Sequence, residues 1–368
     1  MRYSKRELKD LPIPEEIIVE NLAEYISLFS DGKFTGYLFR GEPTNYPETV
    51  SSALREDPFY SFVHMKKEFK REVWHKLSPD ERTHFSAFSQ HHGIPTNLID
   101  ITTSPLVSLY FACQKYINHS DSNEIFDEKR GFVYLFENKF VDITNILTKY
   151  EDDNILELFA YNKNNIFIDM YEIFLDYKLK YPQRFRQFFE NLNAEYRSYF
   201  DNTLDENPVS ENVFTYIDWN YDFNISVCVT NFIKNNEKFD RIYQQLESVS
   251  DEVFLYTAYL QLFLRNILNY TEPIFWFNIM PNFKYAPILT FERGRNQQGL
   301  FIYQTYLHYI EETFEFAVNA QQRVWPNKII VINNKEKILK ELDFIGINEK
   351  FIYGDYDNIA SYIKRKFG

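Results

Sequence analysis

The sequence predicts an α+β fold, and three observations carry that prediction. Segments that read as strands and helices occupy residues 1–140 and return after residue 271. Between them, residues 141–270 form long, aromatic-rich amphipathic stretches that read as helices. Hydrophobic residues make up 45% of the 368, enough for a large core and too many for global disorder. The chain therefore divides into an N-terminal part (1–140), a mostly helical insertion or subdomain (141–270) and a C-terminal part (271–368).

The elements follow in order. Residues 13–30, IPEEIIVENLAEYISLFS, place apolar residues at helical spacing behind acidic residues that suit a helix N-terminus, and predict a helix. GKFTGYLFRGE predicts a buried strand that ends in Arg40, Gly41 and Glu42. SSALREDPFY predicts a loop and Phe62 to Leu77 an amphipathic helix. Ser78 before Pro79 predicts the next helix start. TNLIDIT predicts a short strand, and SPLVSLYFACQKYI a helix with Ser104 as its N-cap and Pro105 in its first turn. GFVYLFEN predicts a strand with period-two alternation. Near the other end, APILTFE, QGLFIYQT and NKIIVIN predict strands. KEKILKELDFIGI predicts a helix closed near Gly346, and YDNIASYIKRKFG a final helix whose basic end suits the helix dipole.

Charge and composition narrow the function classes. A formal net charge of −13 argues against a protein that tracks a phosphate backbone, because such a protein needs a basic face. The N-terminal MRYSKRELKD has no apolar core of a secretory signal. The most apolar long window, Val253 to Leu268, is cut by Gln261 and Arg265 and is too short to span a bilayer. A cytoplasmic protein with no membrane partner is expected. Cys113 and Cys228, each in an apolar run, are expected to be buried free thiols. No metal is expected, since no Cys/His cluster or HExxH spacing occurs.

Three segments carry a polar load that a core does not need. In YLFRGE, Arg40 offers a rigid five-donor fork for phosphate or carboxylate, and Gly41 lets backbone approach a ligand closely. The alternative for Arg40 is a strand-end ion pair with Glu42 or Asp57. In QHHGIPTNLIDITTSPLVSLYFA, Asp100 and Thr102 alternate along a strand and so face one side. Thr102, Thr103 and Ser104 then end at a helix N-terminus, where unpaired N–H groups favour an anion and Asp100 could hold a sugar hydroxyl. Ordinary capping by Ser104 is the alternative there, and loop histidines are the default for His91 and His92. In FERGRNQQGLFIYQT, two arginines and three amides run into a strand, as a ligand-reaching loop or a polar surface turn would. No P-loop, GxGxxG, GxSxG or Ser/His/Asp arrangement is present.

Taken together, Phe39-Arg40-Gly41, QHHGIPTNLIDITTSPLVSLYFA, NQQGLFIYQ and the closing KIIVINNKEKILKELDFIGINEKFIYGDYDNIASYI resemble the FRG domain family, over roughly residues 20–137 and 285–365. The order of these segments is similar to that of the ADP-ribosyltransferase superfamily. That resemblance implies a mixed sheet with flanking helices, interrupted here by the helical block, and NAD as substrate. It implies ADP-ribosyl transfer or NAD cleavage, in a toxin or phage-defence setting. It assigns Arg40 to the NAD diphosphate or ribose, Thr102 with Asp100 to the nicotinamide ribose, and Gln298, or Gln297, to the place of the catalytic acid. Arg40, Thr102 and Gln298 are thus the catalytic candidates. The candidate nucleotide-binding set is Arg40, Gly41, His91, His92, Asp100, Thr102, Thr103, Arg295 and Gln297. This chain departs from the family pattern at His92, Asn97 and Ile101, where Tyr, Arg and Trp are common. Gln298 departs from the superfamily's Glu, and loss of one electrostatic stabiliser is worth roughly 3–4 kcal/mol in other enzymes. A catalytically silent nucleotide- or protein-binding module and a protein acting on nucleic acid stand as alternatives. The acceptor, protein or nucleic acid, is left open, as is an oligomer formed through the helical block.

Overall fold

The computed structural model describes residues 11–46, 49–55, 62–116, 127–150, 154–200, 230, 233, 234, 236–246, 249–268, 275–310 and 316–368. Cys228, Asp57 and the N-terminal MRYSKRELKD lie outside these residues.

Eleven strands are described: β1 (Glu15–Val19), β2 (Leu38–Glu42), β3 (Leu98–Thr102), β4 (Gly131–Phe136), β5 (Val141–Asp142), β6 (Phe275–Phe277), β7 (Phe283–Tyr285), β8 (Gly299–Tyr303), β9 (Tyr306–Ile310), β10 (Phe316–Gln322) and β11 (Lys328–Ile332). Among the described residues eight of them form one mixed sheet in the order β1-β11-β4-β2-β3-β8-β7-β5, and β6, β10 and β9 form a second. With the helices around them this is an α+β protein. The helices before β4 are α1 (Leu22–Ser27), α2 (Ser52–Arg55), α3 (Phe62–Val73), α4 (Pro79–Thr83), α5 (Phe85–His91) and α6 (Pro105–Ala112). The 141–270 stretch supplies α7 (Thr144–Lys149), α8 (Ile155–Tyr161), α9 (Ile166–Lys180), α10 (Pro182–Phe200), α11 (Glu237–Tyr243) and α12 (Asp251–Ile267). The C-terminal part adds α13 (Glu292–Asn296), α14 (Lys335–Phe344), α15 (Glu349–Tyr353) and α16 (Tyr356–Phe367).

Several local expectations change in the folded chain. Residues 13–30 are not one helix: EEIIV is strand β1, paired in parallel with β11, and α1 begins only after Asn21, whose side chain caps Glu24 N. Tertiary pairing overrides the helical spacing of that stretch. SALR within the expected loop is the short helix α2. APILTFE is not a strand; the strand is the preceding FKY, β7, and the chain then turns into α13. β4 does alternate, but between two apolar cores rather than between core and solvent. Val133 and Leu135 face one cluster, Phe132, Tyr134 and Phe136 the other, and all six strand residues are buried. This is the pattern of a strand covered on both faces.

α6 holds the centre of the sheet in place. A Cβ on Gly41 would stand 1.8 Å from the Ser108 carbonyl oxygen, and one on Gly131 would stand 2.0 Å from that of Ala112. Only glycine at both positions lets helix backbone lie on strand backbone this closely. The Tyr25 hydroxyl donates to the Pro105 carbonyl at 2.8 Å, tying α1 to the start of α6. Cys113, at the end of α6, is buried and its thiol is pushed up to about 12 by that burial, so it is an inert packing residue. The largest core joins α8, α9 and α12 to β7 and β8 through Phe167, Phe174, Tyr256, Phe283 and Tyr303. No described helix is long and apolar enough to cross a membrane.

Candidate functional site

The sheet parts beside Arg40. β2 and β3 pair at one position among the described residues, Phe39 with Thr102. Beyond it, Arg40–Glu42 pair with β4 and Leu98–Ile101 pair with β8. The Arg40 guanidinium spans the gap and donates from Nη1 to the Asp100 carbonyl at 2.8 Å. On its other side, Arg40 Nε bonds Glu42 Oε1 at 2.9 Å. Both partners are largely withdrawn from water, with side chains 16% and 3% exposed. Arg40 is therefore at once an ion-paired arginine and a wall of the cleft.

A cavity of about 280 Å³ opens at this split. All three polar segments reach it: Arg40 and Gly41 from β2, Asp100 and Thr102 from β3, and Arg293 and Gln297 from the α13 loop. Antiparallel pairing of β3 with β8 sets Asp100 opposite Phe301 and Thr102 opposite Gly299, so strand and loop meet at its floor. Its other walls are aromatic, from Phe39, Phe111, Phe291 and Phe301. α5 contributes Ala87, Gln90 and His91, which share a helix face at spacings of three and four.

The polar groups are held in fixed positions. Gln90 Nε2 donates to Asp100 Oδ2 at 2.9 Å, and the Thr96 hydroxyl donates to Gln90 Oε1. His91 stacks on Phe291, with centroids 3.9 Å apart and planes 15° from parallel. Burial, then the neighbouring His92 and Arg293, push its imidazole down to about 4 against the opposing pull of Asp355. The ring is therefore neutral at physiological pH, a flat uncharged platform. Arg293 lies over the Tyr353 ring at 5.0 Å, a cation–π contact that anchors its guanidinium.

Thr102 is a buried latch. Its hydroxyl donates to the Gln297 carbonyl at 2.6 Å and accepts from Ser104 N–H at 2.9 Å. The neighbouring Thr103 hydroxyl donates to Gln298 Oε1 at 3.0 Å. Gln298 has a φ of 47°, a left-handed conformation rare outside glycine, at the turn into β8. The α13 loop is fastened on its far side too: Asn296 Nδ2 and Gln297 Nε2 donate to the Phe351 and Ile352 carbonyls of α15 at 2.8 and 3.3 Å. The N-terminus of α6 is capped by Ser104, which accepts from Val107 N–H at 3.4 Å.

Of the sequence candidates, Arg40, Gly41, His91, Asp100, Thr102 and Gln297 line the cavity. His92, Thr103, Arg295 and Gln298 are not in its lining. His92 packs instead on Phe88, and Thr103, Arg295 and Gln298 are exposed. Asn97 is buried and donates to the Gln304 carbonyl at 3.0 Å, while Ile101 belongs to the core. Gln90, Phe291 and the aromatic walls were not singled out from the sequence. Gln90 could have been found from helix phase, since it precedes His91 on the face that begins at Ala87.

Fold and site together define an α+β protein with a ligand-sized cleft where its central strands separate. Residues 35–121 match the family model of the FRG domain, a segment that includes β2, β3 and α6. Comparisons with curated proteins and with solved structures give no significant match.

Proposed function

We propose that this FRG domain binds NAD or a related nucleotide in the cleft beside Arg40. The observation that supports it best is the pairing of aromatic walls with two anchored guanidinium groups in one cavity. The stacked His91–Phe291 pair offers a face for a base, and base–aromatic stacking is worth about 1–3 kcal/mol. Arg40 and Arg293 offer charge-assisted hydrogen bonds to phosphate. Asp100, the one carboxylate in the lining among the described residues, suits a ribose hydroxyl. The activities that go with such a ligand are ADP-ribosyl transfer to a macromolecule or cleavage of the nicotinamide bond, in a toxin or phage-defence effector.

A second reading, a catalytically silent nucleotide-binding module, is favoured by Gln298 and Thr102. Gln298 lies outside the lining with its amide bonded to Thr103, and the Thr102 hydroxyl is engaged on both its donor and acceptor sides. Calorimetry with NAD and an assay of nicotinamide release, each with wild type and Asp100→Ala, separate the two. Asp100 is exposed and its carboxylate accepts from Gln90 Nε2, so the variant should keep its fold. Binding with release that Asp100→Ala removes supports turnover. Binding without release, in buffer and in cell lysate alike, supports the silent module. Absence of both binding and release would sink the nucleotide reading.

A further inference from the structure

Arg40, Gln90 and Asp100 line more than the cavity described above. Behind them lies a second space of about 280 Å³, walled by Val50 and Ser51, by Ser52 and Arg55 of α2, and by Gly93–Pro95. The same three side chains face both spaces, so they form the partition between them. Each cavity alone falls just below the roughly 300–1,000 Å³ typical of small-molecule sites, and the two together fall inside it.

The two halves differ in chemistry. The first is aromatic and suits a base. The second is lined by Arg40, Arg55, Ser51 and Ser52. Ser52 is occupied: its Oγ accepts from Thr96 N–H at 3.2 Å. Ser51 differs. It is 2% exposed, and its Oγ has no hydrogen-bond partner among the described residues. A buried hydroxyl left without a partner costs free energy, and such groups usually meet a ligand or a bound water. Arg55 lies near it, donating from Nη2 to the Val50 carbonyl at 2.9 Å and lying over the Tyr46 ring at 5.4 Å. The Ser51 backbone is fixed by its N–H to Gln304 Oε1 at 2.8 Å.

We infer that the nucleotide extends past Arg40 into this second cavity, which binds its diphosphate through Arg55 and the Ser51 hydroxyl. The inference rests on the nucleotide reading and narrows it: the ligand is a base joined to a diphosphate, as in a dinucleotide or a nucleoside diphosphate, rather than a nucleoside or free base. Asp100, on the partition, then meets a ribose hydroxyl between base and phosphates.

Calorimetry with NAD, ADP-ribose and nicotinamide riboside tests this on wild type, Arg55→Gln and Ser51→Ala. Arg55→Gln should weaken NAD and ADP-ribose about tenfold or more and leave the riboside unchanged. Ser51→Ala should weaken the two diphosphates about fivefold. It should not lower the thermal unfolding midpoint, because the hydroxyl it removes has no partner among the described residues to lose. Ser51→Ala keeps the test decisive if Arg55→Gln folds poorly. Wild type that binds NAD with both variants unchanged, or with the riboside weakened in proportion, would overturn the second-cavity assignment and leave the nucleotide reading standing. Wild type that binds none of the three ligands would overturn both.

Discussion

Arg40 shows how far one residue's role depends on its neighbour. From sequence, a strand-end arginine is dispensable to the fold unless it is buried and paired. In the structure it neutralises Glu42, whose side chain is 3% exposed. Arg40→Ala would take the guanidinium away from that buried carboxylate, a change that costs on the order of 3 kcal/mol. Adding Glu42→Gln should recover most of the loss, and urea unfolding of the two single variants and the double would read the coupling. Loss of ligand binding in Arg40→Ala alone would therefore say little about the site. His91 makes the second prediction at this scale. Its imidazole is held near 4, against an ordinary value of 6.5 in the unfolded chain. Between those values the unfolded chain holds a proton that the folded chain does not, so stability rises with pH. The contribution is fully present above about pH 6.5 and is lost as pH falls toward 4. The ring is half exposed, so the effect is modest. His91→Phe, which keeps the stack on Phe291, should lose less stability between pH 7.5 and pH 5 than wild type does in urea unfolding. An equal loss in both would place the titration elsewhere.

The elements around the cleft depend on two close approaches. Gly41→Ala or Gly131→Ala would drive a methyl into the backbone of α6, and neither strand nor helix can yield without moving the other. Each should cost more than about 3 kcal/mol, at the upper end for overpacking, and chemical denaturation would measure it. A cost under 1 kcal/mol would mean that α6 can lift freely from the sheet. At this scale the sequence was legible where local signals agreed with the fold. Ser78 with Pro79 and Glu81 forms a full capping box, and Ser104 caps α6 as its position before Pro105 implies. It was illegible where distant pairing decided. EEIIV is a strand because Lys328–Ile332 lies beside it, which no local pattern records. QQ at the end of β10 is polar, yet Gln321 and Gln322 are buried, with Gln322 Nε2 donating to the Met280 and Pro281 carbonyls at 3.1 Å. The site followed the same rule. Polar residues at the ends of apolar elements, such as Arg40 and Asp100, announced themselves. Ser51 and Arg55 did not, because their meaning comes from a cavity wall assembled across the sheet.

At the scale of the whole molecule, the FRG segment is embedded rather than self-standing. Residues 35–121 contain β2 and β3, which pair with each other at a single position. Their long ladders run to β4 and β8, both outside that segment. A fragment of residues 35–121 should therefore show no cooperative unfolding by circular dichroism, whereas the full chain should. Cooperative melting of the fragment would contradict the sheet order. That order also governs the timing of synthesis. Glu15 on β1 bonds Lys328 on β11 across 313 positions of sequence. At about 5–20 residues per second on a ribosome, β1 waits on the order of 15–60 s for its neighbour to be made. β3 likewise waits for β8, and until then the Thr102 latch has nothing to close on. Nascent chains thus pass through translation with the cleft unbuilt, and any chain cut short before residue 299 lacks one of its walls. An activity that consumed the cell's own nucleotide pool would be withheld from every incomplete copy.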